Sequence, residues 1–118
     1  SEQYHSVHGA LQEAKHVYIK MGLHQFLKDN PNHKQLSVLE LGFGTGLNAM
    51  LTAIDEMTQH TLISYHGIEA YPISLKELEA LDYNALFDST ITFNQLHEIP
   101  WNQIHKISPN YLSHCIIF

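Results

Sequence analysis

Apolar side chains recur at Leu11, Ala14, Tyr18 and Met21, the spacing of one helix face, and predict a helix over residues 7–22 that Gly22 ends. A shorter helical piece, HQFLKD at residues 24–29, runs into the turn signal Asn30-Pro31-Asn32. Residues 36–41, LSVLEL, have strand length and are apolar enough to predict burial on both faces. Leu47, Met50, Leu51, Ile54 and Met57 then trace one helical face, which predicts a helix over about residues 46–58. TLISYHGIEA, residues 61–70, reads as a second strand. Pro72 and the box Ser74-Leu75-Lys76-Glu77 open another helix, with Ser74 as cap and Glu77 reaching back to its amide. Leu75, Leu78 and Leu81 supply its buried stripe. TITFNQL at 90–96 alternates like a strand, less cleanly, and YLSHCIIF at 111–118 is the third good strand. Helix, strand, glycine-rich loop, helix, strand, helix, strand predicts an α/β fold with a parallel sheet and right-handed crossovers.

Composition narrows the class. The 118 residues suffice for at most one domain, and 44% apolar residues exclude a disordered segment. Six Lys and Arg against twelve Asp and Glu, a net charge of −6, give no basic footprint for nucleic acid within this chain. Cys115 has no partner for an intramolecular disulfide and sits in an apolar run, where it reads as a small buried hydrophobe. No run of 18 apolar residues encodes a membrane-spanning helix. The start at Ser1 and the apolar end HCIIF predict a piece of a larger domain.

The candidate chemistry lies in LELGFGTGLNAM, residues 39–50. This loop joins a strand to a helix, so the unpaired amides of the helix N-terminus face whatever lies above the sheet. Glycine permits positive φ and lets a ligand approach the backbone. An acidic residue ending the next strand can accept both ribose hydroxyls, and Glu69 holds that position. Two frames fit. Gly44-Thr45-Gly46-Leu47-Asn48-Ala49 matches the dinucleotide fingerprint G-x-G-x-x-A, with Glu69 at the spacing it wants. Glu40-Leu41-Gly42-Phe43-Gly44-Thr45-Gly46 resembles the first motif of S-adenosylmethionine-dependent methyltransferases and also uses Glu40 and Gly42. A glycine turn needed only for strand–helix packing, in a non-enzymatic α/β interaction domain, is the third reading. No Lys-Ser or Lys-Thr follows the last glycine, which excludes a P-loop.

YHSVHGALQEAKHVYIKMGL (4–23), followed by VLELGFGTGLNAM and ISYHGIEAYPIS, resembles the MnmC-like methyltransferase family over nearly the whole chain. The resemblance implies the N-terminal part of a Rossmann-like class I methyltransferase fold: a helical segment over residues 1–35 closing the site, then β-α-β-α-β over 36–118 as the cofactor half. It implies S-adenosylmethionine as cofactor and, as substrate, an aminomethyl group on the wobble uridine of tRNA, in the cytoplasm. Glu40, Gly42, Gly44, Thr45 and Gly46 would line the cofactor, with Asn48 at the helix start. Glu69 would bind the ribose, and Ala70 and Tyr71 would lie near the adenine. Tyr4, Ser6 and Gly9 would belong to the closing segment; Glu13, Lys15 and His16 match family positions without an assigned role. Lys15 stands where many relatives carry arginine, which weakens a bidentate phosphate role. The family's candidate catalytic acid lies after a fourth strand, beyond residue 118, so residues 1–118 alone are expected to be inactive. Nothing here resembles the flavin-dependent oxidase fused to some members. In the family's sheet order the fourth strand flanks the first, so LSVLEL is expected to keep one edge free and to pair with another chain.

The remaining candidates have plainer readings. Ten histidines contain no H-x-x-x-H or H-E-x-x-H pair, so no metal site is expected. Trp101 reads as a loop anchor on the core, Asp55 and Glu56 as a solvated helix face, and Glu77 and Glu79 as capping and surface residues.

Overall fold

The structure, a computed structural model, describes residues 2–89 and 92–117, with side chains from Val7 onward. Residues 2–29 wind without a break: helix α1 (Glu2–Glu13), a π-helical stretch (Ala14–His24) and helix α2 (Gln25–Asp29). Gly22 therefore ends nothing, although glycine costs a helix about 1 kcal/mol. Ile19, Leu23 and Leu27, four residues apart, are buried against Leu36 and Leu51, and that burial outweighs the glycine. His24 Nε2 lies 2.8 Å from Asp55 Oδ1, tying the run to the far end of the next helix. Asp55 also accepts from the Met57 amide at 3.0 Å, so it is a cap and a partner rather than a solvated face.

Strand β1 (Gln35–Leu41), helix α3 (Leu47–Ile54) and strand β2 (Leu62–Glu69) form a parallel β-α-β unit. A single 3₁₀ turn, Glu56–Thr58, follows α3. Helix α4 (Leu75–Leu81) starts as expected: Ser74 Oγ accepts from the Glu77 amide at 3.1 Å. The Glu77 carboxylate takes the Ser74 hydroxyl, not the Ser74 amide. Residues 92–96 of TITFNQL do not make a strand. Residues 90 and 91 lie outside the described ones, and Phe93–Glu98 is helix α5. Thr92 and Gln95 close a complete capping box, Gln95 N to Thr92 Oγ1 at 3.2 Å and Thr92 N to Gln95 Oε1 at 2.7 Å. Phe93 and Leu96 point into the core.

The last strand is joined by one not foreseen. Strand β3 (Ile104–Ser108) turns through Pro109 and Asn110 into strand β4 (Tyr111–Ile117) and pairs with it antiparallel. The sheet order is β1-β2-β4-β3, so the sheet is mixed rather than parallel. The short turn dictates the antiparallel pairing, since a parallel pair needs a crossover of a dozen or more residues. Asn110 Nδ2 bonds the Thr58 and Thr61 carbonyls, each at 3.0 Å, and anchors the turn beside β2.

Among the described residues, helices cover one sheet face. Ile63, Tyr65, Tyr111 and Cys115 are buried there against α3, with Tyr65 and Tyr111 stacked at 6.2 Å and Tyr111 Oη donating to the Ala49 carbonyl at 3.0 Å. Trp101 packs on this core and anchors its loop there. On the other face Leu39 is 64% and Leu41 78% exposed, so LSVLEL is not buried on both sides.

Candidate functional site

All three loop glycines adopt backbone angles that other residues avoid: φ is 82° at Gly42, 59° at Gly44 and 84° at Gly46. The Gly42 and Phe43 amides both donate to the Ile68 carbonyl, at 2.8 and 3.3 Å, so β2 holds the loop's start. The glycines divide by surroundings. A Cβ at Gly42 would meet nothing within 4 Å, and one at Gly44 only the Gly42 carbonyl oxygen at 4.0 Å. A Cβ at Gly46 would sit 3.1 Å from the Phe43 ring, and one at Gly67 only 2.3 Å from it. Two glycines thus keep open space above the loop, and two make room for Phe43 beneath it.

Glu69, at the end of β2, turns its carboxylate onto the loop. Oε1 accepts from the Gly44 amide at 2.7 Å; Oε2 accepts from the Ala70 and Tyr71 amides at 3.1 and 3.2 Å. The Gly44 amide foremost, then those of Tyr71 and Ala70, hold this carboxyl below the usual carboxylate range. A carboxylate has about four acceptor sites, so capacity for a further donor remains. Glu40, near the end of β1, accepts from Asn48 Nδ2 at 2.8 Å and from Tyr65 Oη at 2.9 Å. Burial raises its pKa, against the opposing pull of those two donors. Thr52 Oγ1 donates to the Asn48 carbonyl at 2.7 Å and so accepts from Tyr18 Oη at 2.6 Å. Burial pushes the Tyr18 hydroxyl up to about 12, keeping it a donor at neutral pH.

Between the N-terminal helical run and the loop lies a cleft of about 350 Å³. Its walls include Glu40, Gly44, Thr45 and Asn48 from the loop side, and Glu13, Val17 and Tyr18 from the run. Gly42, Gly46, Glu69, Ala70 and Tyr71 lie outside these walls, with Glu69 joined to them through Gly44. Tyr71 is 89% exposed. The backbone of Tyr4 and Ser6 is in α1, and their side chains lie outside the described residues. Gly9 is in α1 with open space around it; Lys15 and His16 are exposed. One residue at the loop had no sequence signal of its own: His97 of α5 donates from Nε2 to the Thr45 carbonyl at 2.6 Å. The Thr92–Gln95 capping box, which locates α5, was the signal that could have led to it.

These features define an α/β protein with a glycine-loop site where its parallel strands end, a carboxylate on each of β1 and β2, and a cleft alongside. No protein-family model matches the chain. Three curated relatives carry the name tRNA 5-methylaminomethyl-2-thiouridine biosynthesis bifunctional protein MnmC. The one from Idiomarina loihiensis is 31% identical over 80 residues, 64% of this chain and 13% of the relative. That from Acidovorax sp. is 38% identical over 82 residues, 66% and 12% of the two chains. That from Marinobacter nauticus is 30% identical over 83 residues, 64% and 13%. The chain contains an MnmC-like region. Its match spans only about one eighth of those relatives' length.

Proposed function

We propose that this chain carries the S-adenosylmethionine-binding part of a Rossmann-like methyltransferase that acts on an aminomethyl group of tRNA wobble uridine. The observation that carries the reading is the charge of the cleft. Its described walls hold the carboxylates Glu13 and Glu40 and no Lys or Arg. Such a lining suits a ligand with an ammonium and a sulfonium, and it repels the pyrophosphate of a dinucleotide. When bound, S-adenosylmethionine supplies an electrophilic methyl group. The residues here bind and orient: Glu40 faces the cationic end, the open side of Gly42 and Gly44 admits the ligand to the backbone, and Glu69 accepts from the ribose. The run over residues 1–35 covers the site, and residues 36–118 form the cofactor half. The acidic balance of this chain leaves the basic surface that tRNA needs to other parts of the protein, and the cytoplasm is the matching location. Calorimetric titration is expected to show saturable binding of S-adenosylmethionine and none of NADH; the reverse order, or no binding of either, overturns the assignment.

The free edge of β1 bears on assembly. Among the described residues β1 pairs with β2 alone; it contains no proline and turns its one charged side chain inward to Asn48 and Tyr65. An edge of that kind is a template for a further strand, and two copies can pair there antiparallel about a two-fold axis. Light scattering is expected to report a dimer for residues 1–118 and a monomer for Leu39→Lys. A parent chain that stays monomeric as concentration rises refutes the pairing.

A further inference from the structure

The loop has a second anchor that lies on neither adjoining strand. His97 Nε2 is 2.6 Å from the Thr45 carbonyl, and its ring stands edge-on to Phe43 with centroids 5.6 Å apart. The same peptide group, Thr45–Gly46, is held at its other end, where the Gly46 amide donates to the Phe43 carbonyl at 3.1 Å. A carbonyl oxygen only accepts, so Nε2 carries the proton. Gly46 has left-handed φ and immediately precedes Leu47, the first residue of α3. The orientation of this one peptide therefore sets how the loop enters α3. A Cβ at Gly46 would come within 3.3 Å of His97 Nε2 as well as 3.1 Å of the Phe43 ring, so position 46 has no room for a side chain while His97 is seated.

We infer that His97 is a positioning residue of the cofactor loop: through its Nε2–H it fixes the Thr45–Gly46 peptide, and with it the geometry the loop presents to a nucleoside ligand. The inference rests on the S-adenosylmethionine reading only for the identity of that ligand. Burial lowers the His97 pKa, the Thr45 carbonyl opposing, which favours the neutral ring needed for a buried site. The anchors from β2 fall on the loop's first half, at Gly42, Phe43 and Gly44, and Glu40 of β1 holds Asn48 beyond the loop, so the contact at Thr45 comes from α5.

His97→Phe keeps an aromatic ring against Phe43 and removes the donor. His97→Gln puts an amide N–H at the reach of Nε2. The first readout needs no ligand: nitrogen chemical shifts of the parent's His97 ring are expected to show the Nε2–H tautomer, and hydrogen exchange of the Gly46 amide is expected to accelerate in His97→Phe and return towards the parent in His97→Gln. The second is the affinity for S-adenosylhomocysteine by calorimetry, expected to weaken about five- to tenfold in His97→Phe and to recover to within about twofold in His97→Gln, as for loss and replacement of one hydrogen bond. An Nδ1–H tautomer in the parent, or Gly46 exchange equal in all three proteins, overturns the inference. So does an affinity in His97→Phe equal to the parent's. Where His97→Phe does not fold, the parent's tautomer and Gly46 exchange in His97→Gln decide the question. A parent that fails to bind S-adenosylhomocysteine while Gly46 exchange follows His97 counts against the cofactor reading and leaves the positioning role standing.

Discussion

Replacing Gly67 with alanine lowers the stability of the folded chain by about 1–3 kcal/mol, the range for forcing volume into a well-packed core. Gly67 is in the middle of β2, with a backbone any residue can adopt, so the loss is steric. The new Cβ would lie 2.3 Å from Phe43 Cδ1 and 3.1 Å from Phe43 Cβ, and Phe43 is only 4% exposed. The ring cannot swing outward freely, because Tyr65 and His97 meet it edge-on at 6.4 and 5.6 Å. Urea unfolding checks the value. In a Phe43→Leu background the same Gly67→Ala change should cost less, since the two positions share one contact. Equal costs in both backgrounds would show that Phe43 is not what Gly67 accommodates.

Glu69→Ala weakens binding of S-adenosylmethionine by about 1.5–3 kcal/mol, the range for a hydrogen bond to a charged group. The substitution removes the ribose acceptor of the proposed site and also frees the Gly44, Ala70 and Tyr71 amides that the carboxylate gathers. Because its folded pKa lies below the ordinary value of 4.5, the stability it contributes is present above that pH and fades as acid protonates it. Affinity should therefore hold from neutral pH into mild acid. Calorimetry on the variant, at a temperature where its thermal melt shows it still folded, gives the number. Equal affinity in variant and parent would remove Glu69 from the site.

What could be read from the chain follows where local physics decides. The glycine loop was legible because glycine takes φ of 82°, 59° and 84° at alternate positions without the steric cost a side chain brings. Ser74 as a cap was legible because the box is local. Four features were not. Gly22 reads as a helix end until the burial of Leu23 and Leu27, set by contacts distant in sequence, outweighs it. The alternation in TITFNQL competed with the Thr92–Gln95 box, and the hydrogen-bonded cap won over a weak strand pattern. β3 has only exposed or half-buried residues, so it lacks the apolar signal of a strand and exists because β4 offers it a ladder. The proximity of Glu40 to Tyr65, and of His97 to Thr45, arises from tertiary contact that spacing does not encode.

The hydrogen bonds that shape the loop also bear on the order in which the chain folds. The β3–β4 hairpin closes through a turn of two residues, a microsecond event, whereas Glu69 reaches Gly44 across 25 residues and His97 reaches Thr45 across 52. Closure of the longer loops costs more entropy, so the loop is expected to order after the hairpin. Interactions that form after the folding transition state act on the unfolding rate. If the loop also orders after the transition state, a ligand seated on Gly44 and Glu69 leaves the rate of refolding nearly as it was and lengthens the lifetime of the folded chain.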